Sequence, residues 1–334
     1  MLSTLFTIVV VLIIIAIAYL ASIKGDYTVS RSRTVTTDIE TVFNILADFR
    51  TWPNWSPWLM HEPDATLEYS DSTSQVDSYY SWDGKLIGAG KLTHVSLNSP
   101  DSIECKLEFT RPFKSICSIK FELEKEEANT KITWIMNGHM PFLFRFMIPK
   151  MKFMIGKDYE LGLAMLAGHL DAEADHPEIQ FHEIDTEESM HCLCESFACD
   201  LETMQKLMYK GFPKLLTFVS ENNINTTGNP ISVYHKVNPK KMYFVGDMAI
   251  PVSKDTHNTG DYQLKEIGGG KYFKVSLKGS YEFLELAWNA AYSHLYMKKI
   301  KPDFKRSSYE IYETNPEAVD NTNEIITILN IPVK

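Results

Sequence analysis

The hydrophobic pattern changes character at residue 24. Before it, MLSTLFTIVVVLIIIAIAYLASI carries no charged side chain. As a helix this run is about 34 Å long, enough to cross a hydrocarbon core. A cleaved signal peptide is the competing reading, with Ala16-Ile17-Ala18 as its cleavage site, but the basic leading region of such a peptide is missing. The pattern predicts an uncleaved transmembrane anchor over residues 1–24, with the bilayer as partner through residues 1–23. Lys24, Arg31 and Arg33 follow it and nothing basic precedes it, so the positive-inside rule places a single-pass protein with its soluble part in the cytoplasm.

Beyond the anchor the period shortens to two. Tyr27–Thr36 alternates and predicts a strand. Asp38 then N-caps a helix, IETVFNILADF, with Ile39, Val42, Phe43 and Leu46 on one face. The loop RTWPNWSPW follows. It holds Trp52, Trp55 and Trp58, half of the six tryptophans, around Pro53 and Pro57. Neither helix nor strand runs through prolines so spaced. Strand-like runs come next at 65–69, 75–82, 85–97, 102–111, 117–125 and 131–138, with Asp83-Gly84 centring a tight hairpin turn. A helix over about 157–172 closes the region. Many short strands in sequence predict one curved antiparallel sheet, giving an α+β class. Between sheet and helix, MPFLFRFMIPKMKFMI has Arg145, Lys150 and Lys152 as its only charges. It reads either as a segment packed under the sheet or as a flap on a bilayer surface, and Pro149 argues against one unbroken helix.

Residues 173–188 are acidic, contain Pro177, and begin with an interdomain linker. The remainder repeats itself. A strand near 189–197, a helix from Asp200 to about Glu221, ISVYHKVNP and VGDMAIPVSK form one copy. KYFKVSLKG, a helix from Tyr281 to about Met297, YEIYETNP and ITILNIPVK form the other. Tyr234 and Pro239 correspond to Tyr312 and Pro316. The boundaries are 25–173 for the first domain and 177–334 for the second, with repeats at about 179–254 and 262–334. Two strand–helix–strand–strand copies predict a pseudo-twofold pair about a cleft, a natural ligand site.

Charge and cysteine narrow the function. A net charge of −10 argues against a nucleic-acid-binding body. Five cysteines without framework spacing fit a reducing compartment. Met190-His191-Cys192-Leu193-Cys194 does not make a metal site on a strand, where Cys192 and Cys194 face one side and His191 the other. The two thiols read as small buried residues. No metal and no cofactor is expected.

VFNILADFRTWPNWSPW, YYSWDGKLIGAGKLTHV, PDSIECKLEFTRPF and NTKITWIMNG, in that order, resemble the START/polyketide-cyclase-like (SRPBCC) superfamily over residues 27–173. The resemblance implies a helix-grip fold, a bent sheet around a long helix with an apolar cavity between. It also implies that the Trp-Ser-Pro-Trp loop packs at the sheet edge. Trp82 and Trp134, with Trp55 and Trp58, are the candidate cavity residues. His139 and Asp83 are isolated, and no catalytic constellation carries over.

The repeat, with the helix-borne AWNAAYSHL and the terminal NIPVK, resembles the GyrI-like effector-binding domain also found behind AraC-type DNA-binding domains. That implies an aromatic cleft that often holds a carboxylate and binds drug-like, frequently cationic molecules. Trp288 matches the family's helix tryptophan. The implied carboxylate position, four residues before the last strand's proline, is Ile328 here, and Asp247 is its counterpart in the first copy. Trp288, Tyr292, Tyr309, Tyr312 and Asp247 are the candidate cleft residues. No helix-turn-helix precedes the domain, and no nucleic-acid partner is expected. The combined reading is a membrane-anchored binder of small apolar, amphipathic or cationic molecules, with a hydrolase or cyclase as the alternative. A carboxylate beside Trp288 would favour the enzyme.

Overall fold

The computed structural model describes residues 2–238 and 241–334; Pro239 of the repeat correspondence lies outside them. The chain forms two compact units, residues 1–174 and 175–334.

In the first unit, α1 (Leu2–Ser22) is followed by β1 (Asp26–Val35) and α2 (Ile39–Ala47). Asp38 caps α2 as its sequence predicts, accepting from the Thr41 N–H at 2.9 Å. α2 buries Ile39, Val42, Phe43 and Leu46. Six further strands follow: β2 (Thr66–Tyr69), β3 (Tyr79–Asp83), β4 (Ala89–Asn98), β5 (Ser102–Arg111), β6 (Ser115–Glu126) and β7 (Asn129–His139). They form one antiparallel sheet in the order β1-β7-β6-β5-β4-β3-β2, so the first strand closes against the last. α3 (Ile148–Leu170) lies across it. α3 starts nine residues earlier than the expected Lys157. Pro149 sits in its first turn, where the missing N–H costs no hydrogen bond. Gly162 lets α3 approach closely: a Cβ there would meet Trp134 at 2.9 Å and Pro57 at 3.1 Å.

The β3–β4 connection is a longer loop than the Asp83-Gly84 turn anticipated from sequence, with Gly84 N bonding Gly88 O. The buried Glu62 carboxylate fixes this loop by accepting the N–H groups of Lys85, Leu86 and Ile87 at 2.7, 2.7 and 3.1 Å. Burial alone would raise its pKa, but the three backbone donors outweigh that and hold it low.

The second unit contains β8 (Glu178–Asp200), α4 (Leu201–Glu221), β9 (Ile231–Asn238) and β10 (Tyr243–Pro251), then β11 (Gln263–Lys278), α5 (Leu284–Met297), β12 (Ser308–Tyr312) and β13 (Ile326–Pro332). The strands close into a barrel in the order β10-β8-β11-β13-β12-β9. The acidic 178–188 stretch belongs to β8, paired with the second half of β11, so β8 starts eleven residues before the strand expected near 189–197. Cys192, Cys194, Ile231, Val233, Ala249, Tyr272 and Tyr309 pack together inside. Alternate residues face outward, where Leu193 and Ile250 meet Leu215 and Val219 of α4. Cys192 and Cys194 share the inner side, as strand alternation requires.

Candidate functional sites

A cavity of about 240 Å³ lies between the sheet and α3 in the first unit. That is far more than one or two waters need. Period-two alternation aims Leu107 and Phe109, Cys117 and Ile119, and Trp134 and Met136 into it from β5, β6 and β7. Met151, Ile155 and Tyr159 enter from α3, and Ile87 from the loop that Glu62 fixes.

Trp134 is its centre. It stacks on Tyr159 at 4.0 Å and 11°, with Trp52, Trp55, Trp58 and Phe121 around it at 5.0 to 6.3 Å. Trp82, Trp134 and Trp58 line the cavity; Trp55 does not, and Trp52 takes its place. Trp55 has no exposure at all, because it is wedged behind Trp52, against Phe121 and Trp134. The Trp loop thus reaches into the core, where a position at the sheet edge had been expected. Trp52 donates its indole N–H to Leu46 O at 3.0 Å, tying the loop to α2.

Among the described residues no carboxylate or imidazole lines this cavity. Behind the wall, the half-buried Asp158 accepts the Trp58 N–H at 3.2 Å. Burial pushes its pKa up to about 6, against a smaller lowering by Trp58. Asp83 forms a surface ion pair with Arg111, and His139 pairs with Asp26 on the surface.

In the second unit a carboxylate stands beside Trp288, but it comes from neither position that the sequence offered. Glu310 of β12 is buried. Its Oε1 accepts the Trp288 N–H at 2.7 Å, and its Oε2 accepts the Tyr234 hydroxyl at 2.9 Å. Tyr312 Oη lies 2.8 Å from both Glu310 Oε2 and Ser232 Oγ. Its hydroxyl is the third donor to the carboxylate. Tyr234 meets Trp288 edge to face at 6.2 Å, and Phe212 and Tyr281 flank Tyr312 at 5.5 Å each.

All three donors to Glu310 are neutral, and among the described residues no ion pair reaches it. Burial drives its pKa up, and the hydrogen bonds offset only part of that. Tyr292 stacks on Trp288 at 6.0 Å on the more exposed side of the cluster.

Ile328, Tyr309 and Asp247 do not join this cluster, for one reason. Ile328 pairs with Ile311, whereas Glu310 pairs with Leu329, so Ile328 lies on the opposite face of the sheet. Tyr309 likewise points inward, against Tyr272 at 5.1 Å.

Asp247, a candidate cleft residue, is fully buried inside the barrel. It is already engaged by Lys265 Nζ at 2.6 Å, His235 Nε2 at 2.7 Å and Ser196 Oγ at 2.6 Å. Burial would raise its pKa, but these three partners hold the carboxyl well below the usual range. A bulge makes this possible. The β9–β10 register slips between Val245 and Gly246, which leaves His235 as the extra residue of β9 and re-aims its ring. Gly246 is required there, since a Cβ would fall 1.9 Å from Val233 O. The other nitrogen of His235, Nδ1, lies 2.7 Å from Ser307 Oγ. Because a carboxylate only accepts, Nε2 carries a proton.

Glu310, Tyr234 and Ser232 were not singled out from sequence as site residues. The repeat did hold a signal: Tyr234 corresponds to Tyr312, so Ser232 and Glu310 are equivalent positions two residues earlier, on the same strand face.

Comparison with known proteins agrees with both halves. Residues 26–171 match the polyketide cyclase/dehydrase and lipid transport family, and residues 180–334 match the GyrI-like small molecule binding domain. No curated protein matches the chain in sequence. Among solved structures, the C-terminal domain of EcmrR is similar at 16% identity, covering 47% of this chain and 98% of that one, with a TM-score of 0.41. SAV2435 bound to tetraphenylphosphonium is similar at 9% identity, over 46% and 94%, with a TM-score of 0.36. Protein CV1439 from Chromobacterium violaceum is similar at 12% identity, over 43% and 96%, with a TM-score of 0.33. The chain is a polyketide-cyclase-like helix-grip domain followed by a GyrI-like small molecule binding domain.

Proposed function

We propose that this protein is a membrane-anchored binder of small amphipathic molecules, and that its GyrI-like domain takes lipophilic cations. One observation carries the second part: Glu310 is a buried carboxylate held by Trp288, Tyr234 and Tyr312 with no cation of its own among the described residues. A buried carboxylate without a countercharge either keeps its proton or recruits a positive ligand. Surrounding aromatic rings favour a flat or quaternary cation. The apolar cavity beside Trp134 supports an uncharged, apolar ligand for the first domain.

The anchor is α1. Among the described residues it is the one helix long and apolar enough to cross a membrane, although a signal sequence meets the same criteria. Its large side chains are exposed, as lipid-facing residues are. Lys24, Arg31 and Arg33 support a cytoplasmic location for both domains.

The test is a titration of the detergent-solubilised protein with tetraphenylphosphonium and with neutral triphenylphosphine oxide. Selective binding of the cation that Glu310→Gln abolishes is the expected result. Equal binding of both probes would reject the cation reading.

A hydrolase is the second reading: the carboxylate beside Trp288 that was to favour an enzyme is present as Glu310, and the Ser307–His235–Asp247 chain adds to it, since a neutral His235 with its proton on Nε2 could take the serine proton at Nδ1. Lys265 counts against it. At 2.6 Å from Oδ1 it neutralises the carboxylate that would stabilise an imidazolium. Labelling of Ser307 by a fluorophosphonate probe, lost in His235→Gln, would bring the enzyme back.

A further inference from the structure

The segment between β7 and α3 and the start of α3 carry a run of exposed large apolar side chains. Phe142, Leu143, Phe144, Phe146 and Met147 are 37 to 68% exposed, and Phe153 and Met154 on α3 are 52% and 38% exposed. Soluble proteins seldom leave so many large apolar side chains together in water. The charges among them have one sign: Arg145, Lys150 and Lys152, with no acid between His139 and Asp158.

This surface is fastened to the end of α1. Arg145 Nη1 donates to Ile23 O at 3.0 Å, and Met140 N donates to Gly25 O at 2.9 Å. The bases of the flap are therefore held within three residues of Ser22, the last residue of α1. A helix spanning a bilayer ends in the headgroup layer, so whatever is fastened to that end lies in the same layer. Phenylalanines with interspersed lysines and arginines suit such a layer when its lipids are anionic. The same stretch also faces inward, because Met151 and Ile155, one turn apart and flanking Phe153 and Met154, line the cavity.

We infer that residues 142–154 are an interfacial element that inserts into the headgroup region of an anionic bilayer, and that the cavity of the first domain exchanges its ligand with the membrane there. The inference rests on the reading of α1 as a membrane anchor.

The native thiols permit a direct test. All five cysteines are buried, and burial pushes their pKa values up, so they react slowly. Full-length Phe144→Cys, Phe153→Cys and Ile14→Cys, each carrying an environment-sensitive dye, are reconstituted in phosphatidylcholine vesicles with and without phosphatidylglycerol. Lipids with a nitroxide at a shallow or deep position serve as quenchers. The expected result is shallow quenching at 144 and 153, strengthened by phosphatidylglycerol, with deep quenching at 14. In Lys150→Gln/Lys152→Gln the strengthening by phosphatidylglycerol should disappear. Quenching at 14 with solvent-like emission at both 144 and 153 overturns the inference and leaves the anchor intact. No quenching at any site removes the anchor reading and this inference with it. Uptake of a lipophilic fluorophore from vesicles should slow at least tenfold in Phe144→Asp/Phe153→Asp, with binding from detergent solution unchanged. Equal rates in both chains would reject the exchange route.

Discussion

Trp288 and Glu310, one on α5 and one on β12, meet through a 2.7 Å hydrogen bond from indole to carboxylate. Helix and strand are fixed to each other at the point where the carboxyl group is buried, so the proposed ligand site and the local packing share one contact. Trp288→Ala should weaken a lipophilic cation and a neutral analogue alike, because it removes an aromatic wall. Glu310→Gln should weaken the cation alone, by about 10- to 100-fold, the range of a charge-assisted bond. Isothermal titration of both variants with both probes separates the two roles.

The pH dependence of that site follows from its raised pKa. At low pH Glu310 is protonated and offers a cation no charge. Affinity for the cation should rise with pH as Glu310 ionises and then level off, and Glu310→Gln should bind weakly at every pH. A flat profile in the wild-type chain would mean that Glu310 does not change protonation across the range.

Asp158 makes a prediction about stability. Its folded pKa of about 6 lies above the ordinary value of 3.8. Between these values the folded state keeps a proton that the unfolded state has lost, so stability falls as pH rises through that window. Denaturant melts at a series of pH values should show this decline in the wild type and lose its Asp158 component in Asp158→Asn.

Lys265 and Asp247 test the barrel interior. Lys265→Met removes the cation at 2.6 Å from a fully buried carboxylate and should cost about 3 kcal/mol. Replacing Asp247 by Asn in the same chain should recover part of that loss, because no buried charge is then left behind. A double variant as unstable as the single one would mean that Lys265 acts through packing alone.

For the cavity, Leu107→Trp fills space that a ligand would use. A lipophilic fluorophore that quenches tryptophan emission in the wild type should bind this variant far more weakly, with the melting temperature little changed.

Much of the architecture was legible because local pattern and tertiary environment agree there. Asp38 caps its helix, the strands of the first unit alternate, and AWNAAYSHL forms a helix with Ala287, Ala291 and Leu295 buried. The misses share a cause: a residue's neighbours across a sheet are set by register, which sequence does not display. The alternation of YEIY puts Glu310 and Tyr312 on one face and Tyr309 on the other, yet nothing in it says that Trp288 covers the first face. Asp247 met partners from three other segments, Ser196, His235 and Lys265, one of them turned inward by a bulge. Trp55 and Trp52 differ by three positions in one loop, and only the packing against Phe121 and Trp134 decides which ring reaches the cavity. The 178–188 stretch was hidden by its acidity, since a strand paired with Lys271, Lys274 and Lys278 need not look apolar.

The strand order of the barrel also sets the timetable of its synthesis. β13 lies between β11 and β12, and β9 must reach both β10 and β12. During synthesis β11 and β12 therefore each keep one open edge until β13 has been made, while the sheet of the first domain, complete by His139, can form long before.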